Sequence, residues 1–274
     1  MALTGTLSSG QSARRIFETA TFFAVMTLPG ALEPRGGAGF KAAAMVRLMH
    51  SMVRFNVLTR PMGWDMKKYG IPIPQVDQMP AGLITATIAA RAAYRRGLKE
   101  FGHEDRARVE FARYQCFLLG LPKELLGTTP RDLLRLSAMR AATLRDGYKD
   151  ETCGALMRAT MKADLFDNSL MGKICRVIEP GFAKVFCTKN FLFDHPERAK
   201  QMGVAPGFTD YLSSAAALGI MAVQIFSYKV ALSLPVVKRW ADASLVGKIN
   251  RLLAHYGHAD FTSDADAYRP AQVA

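Results

Sequence analysis

Val46-Arg47-Leu48-Met49-His50-Ser51-Met52-Val53-Arg54 reads as one turn-rich helical stretch, and its geometry sets the terms for the rest of the chain. At about 100° per residue, Val46, Val53 and Val57 fall on one side of His50, while Arg47 and Arg54 fall on the other. The imidazole stands on the seam between an apolar face and a paired cationic edge. A haem needs that combination: a ring nitrogen for iron, apolar walls for the macrocycle, and cations for its propionates. The competing reading is a core histidine beside two solvated arginines.

Outward from this segment the pattern stays helical. Ser12 to about Leu28 places Ile16, Phe17, Phe22, Phe23 and Met26 at helical spacing and stops at Pro29-Gly30. The loop Glu33-Pro34-Arg35-Gly36-Gly37-Ala38-Gly39 is a linker, too weakly patterned for a phosphate cradle. An irregular stretch runs from Arg60 to Pro80. Helices are expected at about 82–101 and 105–120. Another starts at Thr128-Thr129-Pro130, a good N-cap with proline at the first helical position, and runs to about Arg145. Others fall at about 151–163, 168–188, 208–233 and 237–255. The tail from His258 is polar and expected to fray. No strand pattern persuades and no repeat is visible. The expected class is all-α: one multi-helix domain over residues 1–274, globin-like in helix density, with a haem pocket between helices.

Composition narrows the function classes. Of 274 residues 50% are apolar, which excludes a disordered chain and leaves ample material for a core. The formal net charge of +13 permits nucleic acid, anionic membrane or acidic ligands as partners. The basic residues are scattered over helices, with no Lys/Arg run and no aromatic–basic motif, so the charge reads as solubility and a membrane-facing surface, not a nucleic-acid site. Cys116, Cys153, Cys175 and Cys187 have no zinc-ligand spacing and read as reduced, buried thiols of a cytoplasmic protein. Arg14-Arg15-Ile16-Phe17 ahead of an apolar run superficially resembles a twin-arginine export signal. Glu18, Thr19 and Thr21 interrupt that run and no cleavage site follows, so export is not expected. Tyr211 to Tyr228 borders on transmembrane length but carries Ser213, Ser214, Gln224 and Ser227 and closes at Lys229. It is expected to be a buried or membrane-contacting helix that does not span.

Spacing along the chain adds a resemblance. Arg14-Arg15-Ile16-Phe17-Glu18-Thr19, the His50 segment, and Gly70-Ile71-Pro72-Ile73-Pro74-Gln75-Val76-Asp77 together resemble the haem b oxygenase superfamily of the bacterial rubber oxygenases (latex-clearing proteins). The fungal oxygenases that cleave a farnesyl chain in mycophenolic acid biosynthesis belong to it too. The run Ala112-Arg113-Tyr114-Gln115-Cys116-Phe117-Leu118-Leu119-Gly120-Leu121-Pro122-Lys123-Glu124-Leu125-Leu126 is similar to the same family, and the likeness covers about residues 14–145. The pairing of Arg-x-x-x-Thr with Val-Arg-x-x-His-x-x-Val-Arg is fairly specific; each half alone is weak.

The resemblance implies roles residue by residue. His50 matches the proximal axial ligand to haem iron, and Arg15 and Thr19 match an arginine and a threonine lining the haem pocket. Glu18 stands where some rubber oxygenases carry a lysine able to cap the distal iron site, so this chain should not block itself there. Family members carry helices before the arginine motif, including an acidic residue proposed as catalytic base. Only fourteen residues precede Arg15 here, so either the sequence is truncated or this is a shortened member, and the base is not assigned. On the residues alone, Arg15 and Thr19 are four apart and share a helix face, suited to a buried anion or bound oxygen species. An exposed helix start is the alternative, and Glu18 reads as paired with Arg14 in water.

Other candidates carry less. Asp77 reads as an N-cap, His103 and His195 as surface turn residues, and His255, His258 and Asp260 as a solvated helix end rather than a metal site. Met45, Met49 and Met52 read as core packing. The reading that results is a haem b (iron) oxygenase of an apolar isoprenoid or lipid-like alkene, taking dioxygen. His50, Arg47 and Arg54 bind the cofactor; Arg15 and Thr19 stabilise charge on oxygen; Phe22, Met26 and Ile71 line an apolar pocket. The rivals are a haem protein without turnover and a haem-free helical protein at membranes.

Overall fold

The structure is a computed structural model and describes residues 12–34, 36–59, 65–69, 80–143, 154–161, 166–192 and 194–256. Within them the chain forms helices and no strand, so the all-α expectation holds. In order these are α1 (Ser12–Met26), α2 (Ala38–Thr59), α3 (Met66–Tyr69), α4 (Pro80–Arg95), α5 (His103–Leu118), α6 (Pro130–Thr143), α7 (Ala155–Met161), α8 (Leu170–Asn190), α9 (Pro196–Gln201), α10 (Phe208–Ser233) and α11 (Pro235–Tyr256). They divide between two units: Pro29–Gly147, and a second made from both ends of the chain, Met1–Leu28 with Tyr148–Ala274.

In the Pro29–Gly147 unit α4 packs against α5 and α6, and α2 against α5. The core explains why. Ala86, Ala89, Ala90 and Ala93 recur at helical spacing on α4 and meet Val109 and Ala112 of α5 and Leu133 of α6, with Phe101 completing the cluster. Methyl side chains on one face let the partner helices approach closely, and an added methylene there has no space to enter. At the start of α6 the Thr129 hydroxyl accepts from the Asp132 N–H at 3.1 Å and donates to Asp132 Oδ2 at 2.7 Å, with Pro130 as first helical residue. The expected N-cap is therefore in place. The expectation of a helix to residue 101 overran: α4 stops at Arg95, where Leu98 N–H bonds to the Ala93 carbonyl at 3.0 Å and turns the chain.

In the other unit α8 runs against α10, α10 against α11, and α1 against α7 and α11. Ser169 caps α8, its hydroxyl accepting from Gly172 N–H at 3.0 Å. Gly181 makes the α8–α10 crossing possible: a Cβ there would lie 2.7 Å from Ser213 Cβ and 3.0 Å from Asp210 Cα. Asp210 pins the same end, accepting from Gly207 N–H at 2.8 Å and from Lys184 Nζ at 3.1 Å. A smaller core joins Met157, Met161, Cys187, Leu192, Ala199, Met202 and Val204. The turn expected at His195 exists, with Asp194 at a φ of 61°, but the short helix α9 follows at once, led by Pro196. It was missed because a six-residue helix has too few turns to show a period.

α10 is the helix expected to be buried or membrane-contacting. Of its most apolar window only 6% is buried, and by length and composition alone it could cross a membrane. The frayed tail from His258 and the irregular residues 60–64 and 70–79 lie outside the described residues.

Candidate functional site

The α2 helix buries Gly39, Ala43, Val46 and Val57, a stripe that continues through half-buried His50 and Val53. Arg47 is exposed on the flank and Arg54 is half-buried one turn after His50. The seam expected from 100° spacing is thus the one the fold produces, since the apolar side of α2 faces the core and its cationic edge faces out.

One nitrogen of the imidazole is shut away from water. His50 Nδ1 is buried and has no hydrogen-bond partner among the described residues. Burial, and secondarily the charge on Arg54, hold its pKa down at about 4, so the ring is neutral at pH 7. An unpartnered buried ring nitrogen costs free energy that a well-packed site rarely tolerates without a reason. A neutral imidazole is also the form that ligates a metal.

Arg47 is placed by a backbone device on α5. Leu121 N–H bonds to the Cys116 carbonyl at 3.1 Å and Gly120 N–H to that of Phe117 at 2.9 Å, the paired bonds of a Schellman ending. Gly120 takes a φ of +100°, and a Cβ on it would lie 3.3 Å from Arg47 Nε. The guanidinium lies close over this glycine, and a Cβ there would oblige it to give by a few tenths of an ångström. Arg47 makes no ion pair among the described residues. The sequence signal for this turn is Gly120-Leu121-Pro122 directly after an apolar helix end.

The remaining candidates are placed as follows. Arg15 and Thr19 belong to α1, in the unit made from the chain ends; Thr19 is exposed, Glu18 is half-buried, and the Arg15 side chain lies outside those described. Phe22 and Met26 are packed away in that unit, so they have little surface left to line a pocket. Ile71, Asp77, His258 and Asp260 lie outside the described residues, as does the side chain of His255. His103 and His195 are exposed, as expected of surface positions. Met45 is exposed and Met49 and Met52 half-buried, so the stripe expected as core packing is core only in part: it turns away from the buried side of α2. Cys116 and Cys187 are buried free thiols, pushed up by burial to about 12 and about 11, and Cys175 is half-buried and free. Cys153 lies outside the described residues. Among the described residues no three His, Cys, Asp or Glu side chains gather as a metal site. A haem would need only one protein ligand of this kind, and a single histidine such as His50 is compatible with that.

Comparison with known families decides the class. The family model "ER-bound oxygenase mpaB/B'/Rubber oxygenase, catalytic domain" matches residues 2–212. The chain belongs to that family. It contains an oxygenase catalytic domain, an oxidoreductase by class, for which a small-molecule substrate and dioxygen are the general partners. No match is found among curated proteins or among solved structures. Family membership covers α1 to the first turn of α10; the rest of α10 and all of α11 lie beyond the matched residues.

Proposed function

We propose that this oxygenase domain binds haem b through His50 and uses dioxygen to cleave a carbon–carbon double bond of an apolar isoprenoid or lipid-like molecule. The observation that carries the proposal is the buried, neutral and unpartnered Nδ1 of His50 on the seam of α2. Haem iron, when bound, supplies the means of activating dioxygen, which a closed-shell alkene does not react with readily.

The chain's own residues do the rest. His50 offers a ring nitrogen that needs no deprotonation at neutral pH, and the surrounding apolar stripe excludes water from it. Arg47, held over Gly120, and Arg54 supply cations for two carboxylates, the charge a haem carries on its edge. For Arg15 and Thr19 the resemblance alone implies a place in the haem pocket, where an arginine and a threonine would offer hydrogen-bond donors to oxygen. In overall balance one dioxygen and one carbon–carbon double bond give two carbonyl groups, with no further reductant.

The test is the visible spectrum of protein expressed with haem precursor, beside His50→Ala. Near-stoichiometric haem with a Soret band that is lost or shifted in the variant is expected, followed by dioxygen uptake and carbonyl products with isoprenoid alkenes. A folded protein without a Soret band overturns the reading. Haem without dioxygen uptake leaves a haem protein that does not turn over.

A further inference from the structure

The end of α10 and the start of α11 form a helical hairpin that the oxygenase family match does not reach. Its surface inverts the usual distribution. Every residue from Met221 to Ser227 is exposed, and all but Gln224 and Ser227 are apolar, so α10 presents a largely apolar and unpacked surface over two turns. At the tip Val236 is 86% and Trp240 80% exposed, with Val230 and Leu234 beside them. Apolar surface gathered at one protrusion marks an interaction site.

Three features select the occupant. Lys229 on one arm and Lys238 and Arg239 on the other are exposed and stand four or five residues from the Leu234–Pro235 turn, so three cations ring the apolar tip at similar depth. The hydroxyls near the tip are turned inward: Ser227 donates to the Val223 carbonyl and Ser233 to the Val230 carbonyl, both at 2.7 Å. Hydroxyls satisfied by their own helix need no water, the condition for entering hydrocarbon. An exposed tryptophan beside lysine and arginine is the composition of a membrane–water boundary.

We propose that the α10–α11 tip docks on an anionic lipid bilayer, inserting Leu234 and Val236 into one leaflet while Lys229, Lys238 and Arg239 meet the phosphates and Val230 and Trp240 lie at the boundary. α10 has the length and composition to cross a membrane, yet here it enters only at its end. Its first turns are tied to α8 through Lys184 and Asp210. α11 returns along it carrying Lys238, Arg239, Asp242, Lys248 and Arg251, which hydrocarbon would not admit together. The proposal does not rest on the haem reading.

The experiment is flotation of the full chain with phosphatidylglycerol–phosphatidylcholine vesicles and with pure phosphatidylcholine vesicles, at low and high salt. Binding to the anionic vesicles is expected, weakened by salt. Each cation at such a surface is worth roughly fivefold, so Lys238→Ala/Arg239→Ala should weaken binding on the order of twentyfold or more. Val236→Glu should reduce it as strongly and, lying on the surface, should leave the circular dichroism and melting unchanged. In a Trp64→Phe background the emission of Trp240 should shift to the blue on binding. Failure of the wild-type chain to float with anionic vesicles overturns the proposal. So does binding that Val236→Glu leaves intact, or a dimer by light scattering that Val236→Glu dissolves, since the tip would then be covered by a second copy.

Discussion

The His50 seam of α2 and the tip of the α10–α11 hairpin misplace their side chains in opposite senses. In α2 a polar nitrogen is held away from water with nothing to bond. At the hairpin large apolar side chains are held in water with nothing to cover them. Each arrangement costs free energy in the isolated chain, and the two proposals assign each region a different partner: a haem beside the His50 ring for the first, a lipid surface for the second. A ligand site and a docking site are thus told apart by the sign of the polarity error.

The strongest way to break this contrast is a double dissociation. His50→Ala should lower bound haem from near stoichiometric to background, read from the Soret band, while vesicle flotation stays at the wild-type level. Val236→Glu should do the reverse. If either variant moves both readouts, the two regions do not act separately.

Next in size is the α8–α10 crossing that supports the hairpin. Gly181→Ala places a Cβ 2.7 Å from Ser213 Cβ and should destabilise the chain by about 2 kcal/mol, seen as a lower denaturant midpoint. Haem content per folded molecule should not change.

A smaller effect is expected on the side of α2. Gly120→Ala must hold a left-handed φ and crowds Arg47, costing about 1–2 kcal/mol. Haem should bind several-fold more weakly, and Arg47→Ala should weaken it without the loss of stability. An unchanged affinity in both would remove Arg47 from the site.

The pH dependence of the haem-free protein gives a finer probe. The pKa of His50 is about 4 in the folded chain against 6.5 as the ordinary value. Between these pH values the unfolded chain holds a proton that the folded one does not, so stability rises with pH across the window and is lost as pH falls toward 4. In chemical unfolding at pH 7 and pH 5, His50→Leu should show a smaller loss on acidification than the wild type. Equal losses would mean the ring is not desolvated. The smallest signal is chemical: Cys116, pushed up to about 12, should resist thiol reagents at pH 8 until the chain unfolds.

The sequence made much of this legible where one short segment decides the outcome. The seam of α2 follows from angular spacing, and the α6 start follows from Thr129-Pro130 with Asp132 in reach. The bounds of α10 were read at 208–233 and stand there, because Pro235 and Gly207 punctuate both ends. What could not be read depends on residues far apart in the chain. The isolation of His50 Nδ1 depends on which side chains other elements fail to send toward it. The exposure of α10 depends on the absence of a second helix layer over it, and an apolar run looks the same either way. Gly120 lay between these cases: its left-handed turn was readable from Gly-Leu-Pro, but its closeness to Arg47 was not.

The second unit is built from two separate stretches of chain, and this has a consequence for biosynthesis. α1 finds its packing partners in α7 and α11, so a helix made early is completed by one made much later. At typical synthesis rates of about 5–20 residues per second, Phe22 and Met26 wait on the order of ten to fifty seconds for that cover. During that interval the Pro29–Gly147 unit, continuous in the chain, can fold on the ribosome while the α1 segment stays uncovered. Newly made chains should therefore engage chaperones through the α1 segment, and moving that segment to the C-terminus by circular permutation should shorten the engagement.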